Sequence, residues 1–304
     1  MDKQLKHTLL LFLAAGIWGF AFVAQSVGMD YVGSFTFTAL RNFIGALVLA
    51  PVILVLDKRK SKEVRIREKK EQKTLIRGGI LCGFFLCIAT NLQQFGIPYT
   101  TIGKAGFLTA MYIILVPVLG IFCNRRAGRR VWISVALAVW GLYLLCMAGG
   151  SLVLQVGDLF ELGCALAFAV QILTIDHFAP KVDCVKLSCI EFVSCGILSA
   201  IGMVLFESPT IEAVQAAWIP ILYAGALSTG VAYTLQIVGQ KGLNPTLASL
   251  IMSLESVISL IAGWVLLNQK LSKRELVGCA IMFAAIILVQ LPEKKKCEII
   301  TSEE

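Results

Sequence analysis

The chain has 304 residues, 58% of them apolar and 15% charged, with a mean hydropathy of +0.82. That balance excludes a water-soluble globular protein, in which about a quarter of the residues carry charge. A spanning helix takes roughly 20 apolar residues, so the length accommodates about ten of them and leaves no room for a separate catalytic domain. The formal net charge of +8 would point to nucleic acid in a soluble chain. In a polytopic membrane protein, basic loops on one face produce the same balance, so no nucleic-acid partner is expected.

Ten apolar stretches follow one another, at residues 8–28, 32–56, 75–96, 99–123, 131–148, 156–178, 186–206, 218–239, 244–267 and 274–292. The first is too long for the core of a signal peptide and lacks a small-x-small cleavage site, so it reads as a retained anchor. After the second comes Asp57–Arg77, where ten Lys and Arg crowd together with four acids, a pattern that reads as a solvated loop. Pro51 and Pro117 fall inside stretches two and four and predict kinks. Asn244-Pro245 reads as a cap and first-turn proline opening the ninth. Ala280-x-x-x-Ala284 in the tenth would let a neighbouring helix approach closely, as in a homodimer seam.

Basic residues near helix ends stay on the cytoplasmic side. With the N-terminus inside, that face collects the 57–77 cluster, Arg125, Arg126, Arg129, Arg130, Lys181, Lys186, Lys241 and Lys294–Lys296, while the other keeps Lys270, Lys273 and Arg274. An odd helix count would scatter these clusters, so the asymmetry supports ten helices, an inner-membrane location and two cytoplasmic termini. The ten cysteines lie in spans or inner-face segments without CxxC spacing and read as packing residues, not as disulfides or metal ligands.

Sliding the chain on itself by about 143 to 150 positions reveals an internal repeat. Ala21-Phe22-x-x-Gln25 recurs as Ala167-Phe168-x-x-Gln171, and Ala89-x-x-Leu92-Gln93-x-x-Gly96 as Ala232-x-x-Leu235-Gln236-x-x-Gly239. The halves, 1–150 and 151–304, hold five stretches each, so the second enters the membrane upside down. The expectation is an all-α polytopic membrane protein of ten transmembrane helices in two inverted five-helix repeats, an architecture of secondary transporters with a midplane site.

The phrases Ile17-Trp18-Gly19-Phe20-Ala21-Phe22-Val23-Ala24-Gln25, Phe35 to Phe43 around Arg41, and Gly103-Lys104-Ala-Gly-Phe-Leu-Thr109 resemble the drug/metabolite transporter superfamily, EamA type. In the second half Gly157-Asp158-Leu159, Lys181-Val182-Asp183, Ala232-Tyr233-Thr234-Leu235-Gln236 and Pro245 through Glu255 to Trp264 resemble that family's second repeat. Ser256 stands where the family often has Pro, and Glu191 where it often has Gln. The resemblance implies a ten-helix carrier of small metabolites, often an exporter, with a cavity between the halves.

Ionisable residues within spans are costly and mark candidate sites. Four qualify: Arg41, Lys104, Glu191 and Glu255. Glu255 sits about 15 Å into its stretch, close to the midplane, and is the leading candidate for proton coupling or cation recognition. Arg41 lies about 12 Å deep. Lys104 is shallow enough to serve instead as an interfacial anchor. Glu191 is the pseudo-symmetric counterpart of Arg41 with opposite charge, so the two could each line one of two gates. Gln25, Asn91, Gln93, Thr109, Tyr112, Gln171, Tyr233 and Gln236 complete the predicted cavity, with Trp18 placed to stack on a substrate, although the same residue types also pack helices together.

An intramembrane enzyme would need a nucleophile or metal ligands at one depth, and no HExxH, GxSxG or paired-carboxylate element occurs; nor does an ATP-binding GxxxxGK[ST] loop. A channel or sensor using the 57–77 segment to bind anionic lipid is a third reading that topology alone makes unnecessary. The sequence therefore predicts a secondary carrier, without cofactor or metal, embedded in the lipid bilayer and moving a small polar or amphiphilic metabolite such as an amino acid by alternating access. A multidrug or cationic-compound exporter of the same fold is the alternative.

Overall fold

The computed structural model describes residues 3–100, 102–122, 128–146, 155–267 and 272–290. Among them every regular element is helical. The first half runs α1 (Lys3–Met29), α2 (Ser34–Lys58), α3 (Lys62–Gly96), a 3-10 turn (Ile97–Tyr99), α4 (Ile102–Thr109), α5 (Tyr112–Phe122) and α6 (Arg129–Cys146). The second runs α7 (Val156–Phe178), a 3-10 turn (Ala179–Lys181), α8 (Cys184–Phe206), α9 (Ile211–Ala216), α10 (Trp218–Leu222), a π-helical segment (Tyr223–Tyr233), α11 (Thr234–Gln240), α12 (Pro245–Met252), α13 (Glu255–Leu267) and α14 (Lys273–Gln290). Among the described residues, seven continuous helical stretches are long and apolar enough to cross a membrane, and Pro245–Ser259 and Leu276–Val289 are shorter apolar helices. The protein is a multi-pass membrane protein.

Two sequence expectations are corrected. The segment 57–77 is not a loop: the chain turns only at residues 59–61 and α3 starts at Lys62. Local chemistry accounts for this. Ser61 caps the helix by accepting from the Val64 N–H, Glu63 sits in the first turn, and Arg67 Nε pairs with Glu71 at 2.8 Å, one turn on. The charges that keep this segment in water are strung on strong helix formers, and solvation and helicity are compatible. The stretches 99–123 and 244–267 are also not single helices. Each breaks once inside the apolar run, at Ala110-Met111 and at Ser253-Leu254.

α2 and α8 pack antiparallel and are clasped at both ends. At one end the Glu207 carboxylate, just past α8, takes the Phe35 and Thr36 N–H groups at 2.8 Å each and the Thr36 hydroxyl at 2.6 Å. These are orphan donors at the start of α2, and a side chain on Gly33 would collide with the carboxylate that satisfies them. At the opposite, basic end Lys60 pairs with Asp57 at 2.9 Å, Asp183 at 2.8 Å and Glu68, while Lys186 pairs with Asp57 and Glu68 at 2.9 Å each. Burial opposes charge on Lys60 and Asp183, but the mutual hydrogen bonds outweigh it: Lys60 is held above its ordinary range and Asp183 below its own. α3 lies against both α7 and α8, closely enough that a Cβ on Gly83 would sit 2.5 Å from the Glu191 carbonyl.

Candidate functional site

The breaks in the two interrupted helices create the site. Ile113 N–H bonds back to Ala110 O at 3.0 Å, and Ser256 N–H to Ser253 O at 3.1 Å, so the repeat has kept the same local turn in both halves. Each turn ends by launching one polar side chain from the first residue of the next helix, Tyr112 on α5 and Glu255 on α13. The two meet: the Tyr112 hydroxyl donates to Glu255 Oε1 at 3.1 Å.

Around them lies a cavity lined by Trp18, Phe22, Gln25, Arg41, Gln93, Tyr112, Phe168, Ile172, Ser228, Tyr233, Gln236, Met252 and Glu255. About 460 Å³ of empty space lies within it and its mouth.

Its walls combine aromatic rings with sparse polar groups, the usual composition of a small-molecule site. Trp18 and Tyr233 pack with ring centroids 4.8 Å apart, and Trp18 Nε1 donates to the Ser228 carbonyl at 3.3 Å. That carbonyl belongs to the π-helical segment, where hydrogen bonding is displaced by one residue.

The electrostatics are unusual. Arg41 is 1% exposed, yet Nη1 alone has a partner, Gln25 Oε1 at 3.3 Å, while Nε and Nη2 have none. Among the described residues no carboxylate lies within ion-pair distance of it. A buried guanidinium left with open donors is costly, and an anionic group entering the cavity would satisfy it bidentately. Glu255, 7% exposed on the same cavity, offers the opposite charge.

Of the residues singled out from sequence, Trp18, Gln25, Arg41, Gln93, Tyr112, Tyr233, Gln236 and Glu255 come together on this cavity. Gln171 and Glu191 lie behind its wall: Gln236 Nε2 donates to Gln171 Oε1 at 3.3 Å, and Gln171 Nε2 to Glu191 Oε1 at 2.8 Å. Asn91 is elsewhere, tying α3 to α8 through Ser199 Oγ at 2.9 Å. Lys104 is on α4 with its side chain outside the described residues. Sequence reasoning passed over Phe22 and Phe168, although each stands three residues before a matched Gln and so shares its helix face. It also passed over Glu161, which is fully buried on α7 and accepts from the Thr109 hydroxyl at 2.7 Å.

A family model described as the EamA-like transporter family matches residues 5–147 and again residues 155–291. The chain belongs to that family. Its relatives include an uncharacterized transporter of Archaeoglobus fulgidus, 27% identical over 95% of this chain and 87% of that one. The threonine/homoserine exporter RhtA of Escherichia coli strain K12 is 26% identical over 98% and 96% respectively. The uncharacterized transporter YoaV of Bacillus subtilis is 24% identical over 90% and 92%. A solved crystal structure with 20% identity superposes at a TM-score of 0.75 over 93% of this chain and 96% of its own, which shows a shared fold. Family and relatives are named for transport, not for catalysis.

Proposed function

We propose that the protein is a ten-helix secondary carrier, built from inverted repeats 1–150 and 151–304, that exports an amino acid or similar zwitterion across the inner membrane with both termini in the cytoplasm. The observation that carries this reading is a cavity with Arg41, two of whose guanidinium nitrogens have no partner, and a carboxyl, Glu255, on its walls. A zwitterion presents the complementary pair, with its carboxylate meeting Arg41 and its amine meeting Glu255 and Tyr112. The breaks beside Tyr112 and Glu255 free backbone groups at the centre of the bundle, as in carriers whose site lies on discontinuous helices. The activity for which the relative RhtA is named, threonine and homoserine export, agrees in substrate class. The basic end at Lys60 and Lys186 is cytoplasmic by the distribution of Lys and Arg. Ala280 and Ala284 are exposed on α14, leaving a ridge of small side chains on which a second copy can pack.

An organic-cation exporter is the second reading, because Trp18, Phe22, Phe168 and Tyr233 surround Glu255 with rings suited to a cation. Arg41 opposes it, since a second positive charge on the same cavity repels such a substrate.

The test is counterflow of labelled threonine and homoserine in proteoliposomes of purified protein, with unlabelled amino acids and organic cations as competitors. Exchange blocked by zwitterions and lost in Glu255→Gln is the expected result. Exchange competed only by cations would replace this reading with the second.

A further inference from the structure

The matched residues Gln93 and Gln236 both line the cavity, and each begins a chain of hydrogen bonds that leaves it. From Gln93, Nε2 donates to Thr109 Oγ1 at 3.4 Å and the Thr109 hydroxyl donates to Glu161 Oε2 at 2.7 Å. From Gln236, Nε2 donates to Gln171 Oε1 at 3.3 Å and Gln171 Nε2 donates to Glu191 Oε1 at 2.8 Å. Both chains end on a carboxyl that is 0% exposed. Each of these carboxyls keeps one oxygen without a partner, Oε1 of Glu161 and Oε2 of Glu191.

The two carboxyls lie toward opposite ends of the bundle. Glu191 is about 11 Å into α8 from its first residue, and α8 starts at the basic end beside Lys60. Glu161 is about 8 Å into α7, whose start packs on Gly96 and Tyr99 at the far end of α3. Thr109 is the last residue of α4, directly before the break at Ala110-Met111, so the chain to Glu161 also holds a hinge of the site.

The groups facing each carboxyl are few. Glu161 has Asp158 and Cys164 on its own helix and Thr109 on α4. Glu191 has Cys82 on α3 and Gln171 on α7, with Cys195 one turn on along its own helix. Among the described residues no Lys, Arg or His pairs with either. An ionised carboxylate so enclosed would be an uncompensated buried charge, whereas the neutral acid places its O–H on the open oxygen.

We infer that Glu161 and Glu191 are the proton-binding residues of the outer and inner gates, each letting its end of the bundle close when it holds a proton and requiring water there when it does not. This rests on the carrier reading above and adds the pH dependence of its gates. As an end closes, an O–H bond forms on its carboxyl with a proton from the solution on that side, and as the end opens the bond breaks and the proton returns to the same solution. The substrate cannot reach either carboxyl from the cavity, so proton and amino acid need not compete for one site.

Infrared difference spectra between acid and alkaline buffers, recorded on the full-length protein in lipid, test the sites without any substrate. The protonated-carboxyl region of the wild type should contain a component lost in Glu161→Gln and a second lost in Glu191→Gln. Beside this, threonine counterflow at equal pH on both sides should fall in alkaline buffer in the wild type and fall less in either variant, whose neutral amide lets that gate close at any pH. Thr109→Val, which leaves every carboxyl in place, should keep the Glu161 component, shift its frequency and shift the pH at which counterflow falls. Spectra unchanged by both Gln substitutions, or signals that follow sodium instead of pH, would overturn the inference. A wild type that exchanges no amino acid at all would instead remove the substrate reading, and the spectra would still decide the proton sites.

Discussion

Arg41 in the first half and Glu191 in the second occupy matched places on α2 and α8, and each bonds to the matched glutamine of the preceding long helix, Gln25 or Gln171. The scaffold is the same and the polarity is reversed: Gln25 accepts from Arg41, whereas Gln171 donates to Glu191. The consequence differs too. Arg41 stands on the cavity wall with two nitrogens unpartnered, while Glu191 is sealed behind the wall. The matched helix pairs thus present their charges differently, one to the cavity and one away from it, and a repeat seen in sequence does not imply equivalent surroundings.

The comparison predicts its largest effect at Arg41. Replacing it by Met fills similar volume but removes the open donors, so the half-saturation concentration for threonine counterflow should rise by about 30-fold or more, the 2–5 kcal/mol cost of truncating one member of a buried charge pair. Arg41→Lys should recover only part of this, because an ammonium cannot hold a carboxylate with two parallel N–H groups. Unchanged half-saturation in Arg41→Met would detach the first half from the substrate and void the contrast.

A middling effect belongs to the clasp between halves at the basic end. Asp183→Asn keeps a side chain able to cap α8 through the Val185 and Lys186 N–H groups but removes the charge facing Lys60. A hydrogen bond between charged groups is worth about 1.5–3 kcal/mol, which should appear as a lower melting temperature of the detergent-solubilised variant at neutral pH. Because Asp183 is held below its ordinary value of 3.8, its contribution is complete above that pH and is lost as the pH falls through the lowered folded value. Wild type and variant should therefore converge only in strong acid. A difference that persists unchanged there would mean that the residue acts through packing.

Helix existence was legible because apolar runs are a property of sequence alone. Much of the cavity set was legible for a related reason: Gln25, Gln93 and Gln236 stand out as polar groups in apolar surroundings. The helical state of residues 62–77 was not, since charge density reports solvation and says little about backbone conformation; the cap at Ser61 was the readable signal. The breaks at Ala110 and Ser253 carry no proline at the turn and depend on packing between halves. Glu161 was passed over, yet it is fully buried beside Gly96 of α3 and Thr109 of α4. Asn91 shares residue type and helix with Gln93 but, two positions away, faces α8 instead of the cavity, a difference of about 200° around the helix.

The smallest effect should come from the second half of the comparison. Glu191→Gln is isosteric, lies outside the cavity, and can still accept from Gln171 while its new N–H₂ occupies the place of the unpartnered Oε2. Exchange of one neutral hydrogen-bonding group for another costs about 1 kcal/mol, so half-saturation for threonine counterflow should stay within about fivefold of the wild type. That outcome, beside a large loss in Arg41→Met, would establish that the duplicated pair diverged in purpose. Equal losses in the two variants would instead make Arg41 and Glu191 symmetric partners of two gates, with the unpaired state of Arg41 a feature of the closed arrangement and not of substrate recognition.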